Sequence, residues 1–288
     1  MSFDGHTHWG SIAVGTPAVD FEPRPADTLS YRSDTVADGW STGELTVRLA
    51  SVRGYAHRYA GLPRQDDAAV VHHPASGAVV FAVADGVSAA PLAHLGATAA
   101  CRAAVGATVR ALDAGSPVEW PTVMEHAAWQ VVEQAAAALK LGRPDPERAE
   151  DEMATALIAG VVHPAGAGAE TAVARVGDSA AWVLRDGRYR ALFDPKVAVI
   201  AESAVTALPR MPAPDVRGGP LAHGEVLLIG TDGFGDPLGD GTGPVGAHFA
   251  VRLARPRPPI AFAHDLDFSR ETFDDDRTLL AIWPRQMS

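Results

Sequence analysis

The sequence contains almost no cysteine and no long hydrophobic run. Its single cysteine, Cys101, excludes an internal disulfide and a zinc site built from thiolates. No uninterrupted apolar stretch is long enough to span a bilayer. The first residues, MSFDGHTHWG, have neither the basic start nor the apolar core of a secretory signal. These absences predict a cytoplasmic protein with no membrane partner.

Positive charge is also scarce. The chain has 24 lysine and arginine residues against 35 aspartate and glutamate residues, and its formal net charge is -11. No local run of lysine and arginine forms the basic face that a nucleic-acid-binding protein needs. We therefore expect no nucleic-acid partner, although metal ions could still reverse the local charge and let an acidic protein bind anions.

Several motifs of common enzyme classes are missing. The sequence has no Walker A loop, no G-x-G-x-x-G fingerprint, no G-x-S-x-G elbow and no H-E-x-x-H helix. The histidine pairs His6/His8 and His72/His73 have no convincing third zinc ligand. Cys101 lies in an Ala-rich apolar segment, which is typical of a small packed residue. Nucleotide binding, zinc chemistry and nucleophilic catalysis therefore have no support in the sequence.

The N-terminal segment differs from the rest of the chain. Residues 1–45 are rich in Gly, Pro, Asp, Ser and Thr and show little periodicity. This composition predicts an extended or partly ordered arm, and a leader that wraps around the domain fits it equally well. We expect residues 46–288 to form the folded domain.

Apolar patterning in the rest of the chain predicts strands and helices in separate blocks. Strands are expected at ELTVRLASV, at Ala68 to His72 and at Ala78 to Ala84, with PASG as a hairpin turn between the last two. Two helices should follow, one ending near Gly115 and one from Trp120 to Leu141, and both should pack on a sheet. Later strands are expected at ATALIAGVVH, ETAVARVG, AWVLRDGRYRAL, EVLLIGT and TLLAIW, and helices at TGPVGAHFAVRLARP and PIAFAHDLDF.

Two stretches are predicted to be connections. They are LGRPDPERAED and the proline-punctuated stretch from Asp194 to Pro220, in which one short helix could form. The tight hairpins imply a mainly antiparallel sheet, because antiparallel strands can be joined by short turns. Segregated strand and helix blocks predict an α+β layered domain rather than alternating βαβ units.

Aspartates stand at the ends of several apolar runs. Taken singly, each is a turn or a solvated charge. Neighbouring strands of one sheet can bring their ends to a single edge, however, and carboxylates clustered there would repel one another strongly. Mg²⁺ and Mn²⁺ prefer oxygen ligands and would neutralise such a cluster. The aspartates in question are Asp66, Asp67, Asp85, Asp178, Asp232 and Asp275.

Five segments in order resemble one family. RQDDA, VADGVS, ARVGDSAAWVLRDG, LLIGTDGFGD and DDRT look like motifs of the metal-dependent serine/threonine phosphatases of type 2C, the PPM family, in its bacterial branch. The similarity spans about residues 45 to 283. It implies a four-layer α-β-β-α sandwich of two mainly antiparallel sheets flanked by helices. It also implies a centre of two Mg²⁺ or Mn²⁺ ions, with a third ion in some relatives.

The resemblance assigns roles to the matching positions. Asp85 would bridge both ions, the Gly86 carbonyl would bind one of them, and Asp232 and Asp275 would complete the ligands of the first ion. The resemblance implies a catalytic set of four aspartates: Asp66, Asp85, Asp232 and Asp275.

For other matching positions, a second interpretation stays open. Asp178 and Asp236 correspond to ligands of a weaker third metal; a strand-end hydrogen bond and a helix cap, respectively, are the structural alternatives. The acidic pair of the family fits either Gln65-Asp66 or Asp66-Asp67, so Asp66 and Asp67 are both candidate metal ligands.

The chain departs from the family pattern around the phosphate. An arginine usually stands four residues before the acidic pair, but here the position is Gly61 or Leu62. Arg64, Arg58 and His57 are the candidate substitutes for holding phosphate. Val87 stands where eukaryotic members carry a histidine proposed as a general acid.

The resemblance implies hydrolysis of phosphoserine and phosphothreonine on proteins through a metal-activated water, with a cognate serine/threonine kinase as an expected partner. A catalytically weak or inactive phosphatase-like binding module is the alternative, because the arginine and the histidine are missing. A phosphatase for a small phosphorylated metabolite is a third hypothesis, since a shared fold does not fix the substrate.

Overall fold

The protein forms two β-sheets packed face to face between layers of helices. The structure is a computed structural model that describes residues 10–26, 31–194 and 206–286. Its strands are β1 (Ile12–Ala13), β2 (Thr35–Ser41), β3 (Leu45–Val52), β4 (Asp67–His73), β5 (Ala78–Gly86), β6 (Thr155–Ala165), β7 (Gly168–Val176), β8 (Ala180–Arg185), β9 (Arg188–Ala191), β10 (Asp215–Ala222), β11 (Val226–Gly230), β12 (Phe268–Ser269) and β13 (Arg277–Pro284). Its helices are α1 (Tyr55–Ala60), α2 (Ala93–Asp113), α3 (Trp120–Ala138), α4 (Pro146–Met153), α5 (Asp232–Leu238), α6 (Pro244–Arg252) and α7 (Pro259–Leu266).

Both large sheets are antiparallel. One has five strands in the order β10-β7-β6-β5-β4, and the other has six in the order β2-β3-β13-β11-β8-β9. The hairpins predicted around PASG and Asp186-Gly187 are present as β4-β5 and β8-β9. The predicted α+β architecture with two mainly antiparallel sheets is confirmed.

Strand alternation explains the layers. In β5, Val79, Phe81 and Val83 belong to the cluster buried between the two sheets. The residues between them, Val80 and Ala82, belong to the cluster under the helices on the other face of the sheet. Because successive side chains of a strand point to opposite faces, a continuous apolar run is what a strand covered on both sides requires.

The other sheet is covered in the same way. In β13, Leu280 and Ile282 face the intersheet cluster. Leu279 and Ala281 pack instead with residues of α5, α6 and α7, including Phe249. The order of layers is therefore helices, sheet, sheet, helices, as predicted.

Three expectations about local elements were wrong. The stretch LGRPDPERAED contains most of α4, which begins where the Asp145 side chain accepts hydrogen bonds from the Glu147 and Arg148 amides at 3.1 and 3.2 Å. The stretch from Asp194 to Pro220 contains the start of β10, an edge strand where a proline is tolerated because one side of the strand needs no partner. Helix α2 packs on the five-stranded sheet as expected, but α3 packs mainly on α2 and α4.

The short helix considered within residues 194–220 falls partly outside the described residues. In the described part of that stretch, no helix forms. No helix in the described residues has both the length and the apolar character needed to cross a membrane.

The described parts of the N-terminal segment lie against the domain. Strand β1 pairs in parallel with β12, and β2 is the edge strand next to β3. The Phe21 ring packs edge-on against Tyr55 and Tyr59 of α1. The boundary at residue 45 between arm and domain stays a prediction.

Candidate metal centre

Three aspartates from three separate chain segments meet at one end of the sandwich. Asp85 lies near the end of β5, Asp178 lies between β7 and β8, and Asp232 is the first residue of α5, directly after β11. One carboxylate oxygen from each lies within 4.8 Å of the others. The Asp232 amide also donates a hydrogen bond to Asp85 Oδ2 at 3.4 Å.

Two glycines let these segments approach each other. Gly177 has a φ of +100°, and a Cβ there would lie 2.4 Å from the Ala156 Cβ, so only glycine fits the turn that leads into Asp178. A Cβ on Gly86 would lie 2.8 Å from the Ala93 Cβ and 2.9 Å from the Gln65 carbonyl oxygen. The glycine therefore keeps the end of β5 close to the segment that carries Asp66.

The predicted residues line two adjoining pockets. A pocket of about 270 Å³ is lined by Asp85, Gly86, Val87, Ser88, Ala89, Ala156, Asp178, Asp232 and Asp275. A neighbouring pocket of about 190 Å³ shares Asp232 and Asp275 and adds Asp236. The main pocket thus brings together Asp85, Gly86, Asp232 and Asp275, which were expected to bind the main ions, and Asp178, which was expected to bind a third ion. The other residue expected at the third ion, Asp236, lines the neighbouring pocket.

The two candidates of the acidic pair have different surroundings. Asp66 is buried, and its Oδ2 accepts hydrogen bonds from the hydroxyls of Thr231 and Thr278, both at 2.8 Å. Asp67 forms an ion pair with Arg32 at 2.8 Å and accepts a hydrogen bond from the Thr98 hydroxyl. Asp66 therefore lies behind the carboxylate cluster, while Asp67 is engaged by Arg32 and α2.

The surroundings of the clustered carboxyl groups disfavour their ionised form. Burial, together with the charges of Asp66, Asp232 and Asp275, raises the pKa of Asp85 well above its ordinary value. Burial and Asp276 likewise raise the pKa of Asp66. Burial and Asp276 raise the pKa of Asp275 to about 6. Such mutual repulsion is relieved when a cation is bound among the carboxylates.

The donor set fits a hard divalent cation. Within the described residues, the atoms that converge in the main pocket are carboxylate oxygens, with no thiolate or imidazole among the three closest groups. Oxygen ligands are those that Mg²⁺ and Mn²⁺ prefer. The residues present therefore fit the ions that the resemblance implies, with Asp85, Asp178 and Asp232 as the best-placed ligands.

The three candidates for holding phosphate are engaged elsewhere. Arg64 is buried and donates hydrogen bonds to the Ser51 hydroxyl and the Asp66 carbonyl oxygen. Arg58 pairs with Asp34 at 2.7 Å and with Asp267 at 2.8 Å. His57 pairs with Asp276. As far as the described residues show, neither arginine nor the histidine lines the main pocket, and their role in phosphate binding stays a prediction.

The sequence interpretation missed Asp276. Its carboxylate is buried and accepts hydrogen bonds from the Gly54 amide at 2.6 Å and the Gln65 amide at 2.5 Å, and it lies 2.9 Å from His57 Nδ1. His57, Asp275 and Asp276 have potential ligand atoms within 4.8 Å of one another. Because both oxygens of Asp276 already accept backbone hydrogen bonds, this residue is better suited to positioning Asp275 than to binding an ion. The buried hydrogen-bonding role of one aspartate in FDDDRT leaves no signal in the sequence.

Comparison with known proteins identifies the family. The sequence profile described as Protein phosphatase 2C matches residues 53–266. This protein belongs to the protein phosphatase 2C family. A search of curated proteins finds no match. The matched segment contains Asp85, Asp178 and Asp232, while Asp275 lies beyond it.

Solved structures share the fold of this family member. The serine/threonine phosphatase of S. agalactiae is 15% identical over 84% of this chain and 100% of its own, with a TM-score of 0.54. The PPM Ser-Thr phosphatase MsPP from Mycobacterium smegmatis, in complex with cacodylate, is 18% identical over 82% of this chain and 97% of its own, with a TM-score of 0.53. The catalytic domain of PstP, in complex with two manganese ions, is 15% identical over 84% of this chain and 99% of its own, with a TM-score of 0.52. Family and fold together support a metal-dependent phosphatase.

Proposed function

We propose that this protein hydrolyses phosphoserine and phosphothreonine in proteins at a centre of two Mg²⁺ or Mn²⁺ ions. The observation that carries the proposal is the convergence of Asp85, Asp178 and Asp232 in one pocket at the end of the sandwich. The PstP neighbour was solved with two manganese ions, which supports the proposed number and kind of ion.

Each aspartate has a distinct part in this proposal. Asp85, Asp232 and Asp275 hold the ions of the main centre, with the Gly86 carbonyl as a further ligand. Asp178 and Asp236 hold a third, weaker ion. Asp66, fixed by the Thr231 and Thr278 hydroxyls, is the member of the acidic pair that serves this centre. When bound, the ions lower the pKa of a water and neutralise the phosphate dianion.

Hydrolysis joins a water oxygen to phosphorus and breaks the bond between phosphorus and the serine or threonine oxygen, which must gain a proton. Among the described residues lining the main pocket there is no histidine or lysine, and Val87 follows Gly86. Ions bound among the aspartates would keep these carboxyl groups ionised, so we expect the proton to come from water in the pocket. The protein substrates would be products of a serine/threonine kinase.

Metal removal tests the proposal directly. We expect p-nitrophenyl phosphate and a phosphothreonine peptide to be hydrolysed with Mn²⁺, and activity to vanish with EDTA and in Asp232→Ala. Activity that is indifferent to EDTA would contradict the metal centre. Absence of turnover by wild-type protein that binds two metal ions would favour the alternative of a phosphatase-like binding module. Turnover of small phosphorylated metabolites but not of phosphopeptides would favour a metabolite phosphatase.

The two kinds of metal ligand should differ in how added metal rescues them. We expect Asp178→Ala to lose less activity than Asp232→Ala when Mn²⁺ is saturating, because Asp178 serves the accessory ion and Asp232 serves the main centre. Titration of activity against Mn²⁺ concentration measures this difference. Equal losses at saturation would show that the two ligands serve one centre.

A further inference from the structure

A third pocket continues from the main pocket of the candidate metal centre. It has a volume of about 480 Å³ and shares Val87 and Ala89 with the main pocket. Its other lining residues are Ala90, Glu150, Asp151, Ala154, Ala207 and Arg210. We call it the α4 groove. Since the two pockets share part of one wall, a substrate that reacts in the main pocket can extend into this groove.

The floor of the α4 groove is apolar. Ala90, Ala93, Ala154 and Ala207 form a small buried cluster, and Val87 packs against it. These side chains have no hydrogen-bonding groups and are short, so they leave room for an apolar stem above them. A lysine or arginine side chain has such a stem and carries its charge at the tip.

Backbone hydrogen bonds hold the walls of the α4 groove together. The Val87 amide donates to the Ala154 carbonyl oxygen at 2.9 Å, and the Leu92 amide donates to the Glu152 carbonyl oxygen at 2.7 Å. Thr155 and Leu208 exchange hydrogen bonds of 3.1 and 2.8 Å. The loop after β5, the end of α4 and residues 207–210 are therefore tied to one another, and the groove is formed before a ligand arrives.

The rim of the α4 groove carries unbalanced negative charge. Arg210 forms an ion pair with Glu150, so these two charges offset each other. Asp151 is exposed and makes no ion pair with any described residue. An exposed carboxylate above an apolar floor is complementary to lysine and arginine and repels acidic side chains.

We propose that the α4 groove binds the polypeptide next to the phosphorylated residue and selects substrates with a lysine or arginine close to it. Asp151 is the specificity-determining residue, and the alanine floor takes the stem of the basic side chain. The inference rests on the proposed phosphatase function and adds the class of substrate: phosphoproteins with a basic flanking sequence.

The test compares phosphothreonine peptides that differ only in arginine or glutamate at the positions flanking the phosphoresidue. We expect the wild-type kcat/KM to be about 5- to 10-fold higher for the arginine peptides, mostly through a lower KM. This is the size of effect expected when one exposed attraction between opposite charges is replaced by a repulsion between like charges. Asp151→Asn should remove most of this preference, and Asp151→Lys should reverse it. Because the interaction is exposed, the preference should also shrink at 1 M salt.

The matched control is Glu147→Lys. Glu147 lies on the same helix as Asp151, and its substitution by lysine changes the net charge by the same amount. Glu147 does not line the α4 groove. It should keep the wild-type preference, and p-nitrophenyl phosphate turnover should be the same in all these variants. Equal effects of Asp151→Lys and Glu147→Lys, or no peptide preference in the wild type, would overturn the proposal that the α4 groove selects basic substrates. Failure of the wild type with Mn²⁺ to hydrolyse p-nitrophenyl phosphate or any peptide would instead reject the phosphatase function and the inference with it.

Discussion

Asp85→Asn should lose hydrolytic activity by about 10³-fold and at the same time make the metal-free protein more stable. The loss follows because Asp85 belongs to the carboxylate cluster, and removing one preorganised electrostatic group from a catalytic site typically costs about 10²- to 10³-fold. The gain follows because the neighbouring aspartates repel the ionised Asp85 carboxylate, whereas a neutral amide of the same shape is not repelled.

The stability gain should depend on pH in a defined direction. The pKa of Asp85 is raised in the folded protein, so ionisation of this group at neutral pH lowers the free energy of unfolding of the wild type. This destabilisation is absent at low pH, where the Asp85 carboxyl is protonated in both the folded and the unfolded protein. It grows as the pH rises from about 4, the pKa of an unfolded aspartate, through the pKa of Asp85 in the folded protein. Each unit of pKa shift corresponds to about 1.4 kcal/mol. We therefore expect the variant to be more stable than the wild type at pH 7.5 and the gain to vanish near pH 4.

Denaturant unfolding in EDTA at the two pH values measures the gain, and p-nitrophenyl phosphate turnover with Mn²⁺ measures the loss. Asp186→Asn is the matched control, since Asp186 is an exposed residue in the β8-β9 turn and undergoes the same change of charge. It should affect neither quantity. A metal-free Asp85→Asn protein that is less stable than the wild type at pH 7.5 would contradict the repulsion on which the metal site depends.

Asp276→Ala should destabilise the fold by about 3–5 kcal/mol, the usual cost of removing one partner from a buried charged network. The substitution leaves the amides of Gly54 and Gln65 and the ring of His57 without their acceptor. Burial alone would lower the pKa of His57, but the hydrogen bond and charge of Asp276 raise it above its ordinary value. Loss of Asp276 should therefore lower the pKa of His57, which NMR titration can follow.

The same substitution should weaken metal binding, because the Asp276 carboxylate anchors this part of the chain to the Gly54 and Gln65 amides. Without that anchor the amide of residue 276, which donates to Asp275 Oδ1 at 2.8 Å, and the Asp275 carboxylate lose their fixed position. Activity should then require more Mn²⁺ than in the wild type. Asp274→Ala is the control in the same run of three aspartates; its side chain is exposed, and we expect a change within about 0.5 kcal/mol. Asp276→Asn should be intermediate, since one amide oxygen can replace only one of the two acceptor oxygens. Equal stability of Asp276→Ala and Asp274→Ala would rule out the positioning role.

The carboxylate cluster could be predicted because its signal is local. Asp85, Asp178 and Asp232 each follow an apolar run at a glycine, so strand patterning alone places each of them at the end of a strand. The pairing of those strands in two antiparallel sheets then brings the ends together. Resemblance to the family adds an expectation of which aspartates share an ion, which patterning does not contain.

Other features depend on tertiary contacts that patterning does not record. Helix α4 begins at an Asp145 cap within a charged, proline-containing stretch that reads as a loop. Strand β10 is an edge strand with few buried side chains, so it lacks the apolar alternation of a central strand. Arg64 and Arg58 resemble solvated or phosphate-binding arginines in the sequence, yet in the fold they satisfy Asp66, Asp34 and Asp267. Their partners are distant in the chain and become visible only in three dimensions.

The three clustered aspartates at this end of the sandwich come from both sheets. Asp85 ends a strand of the five-stranded sheet, Asp232 follows a strand of the six-stranded sheet, and Asp178 lies where the chain crosses from one sheet to the other. Ions bound among these three aspartates would link the two sheets at their edge, where the apolar side chains between the sheets end and the charged groups begin. The same carboxylate oxygens would then both bind the ions and hold the two sheets together.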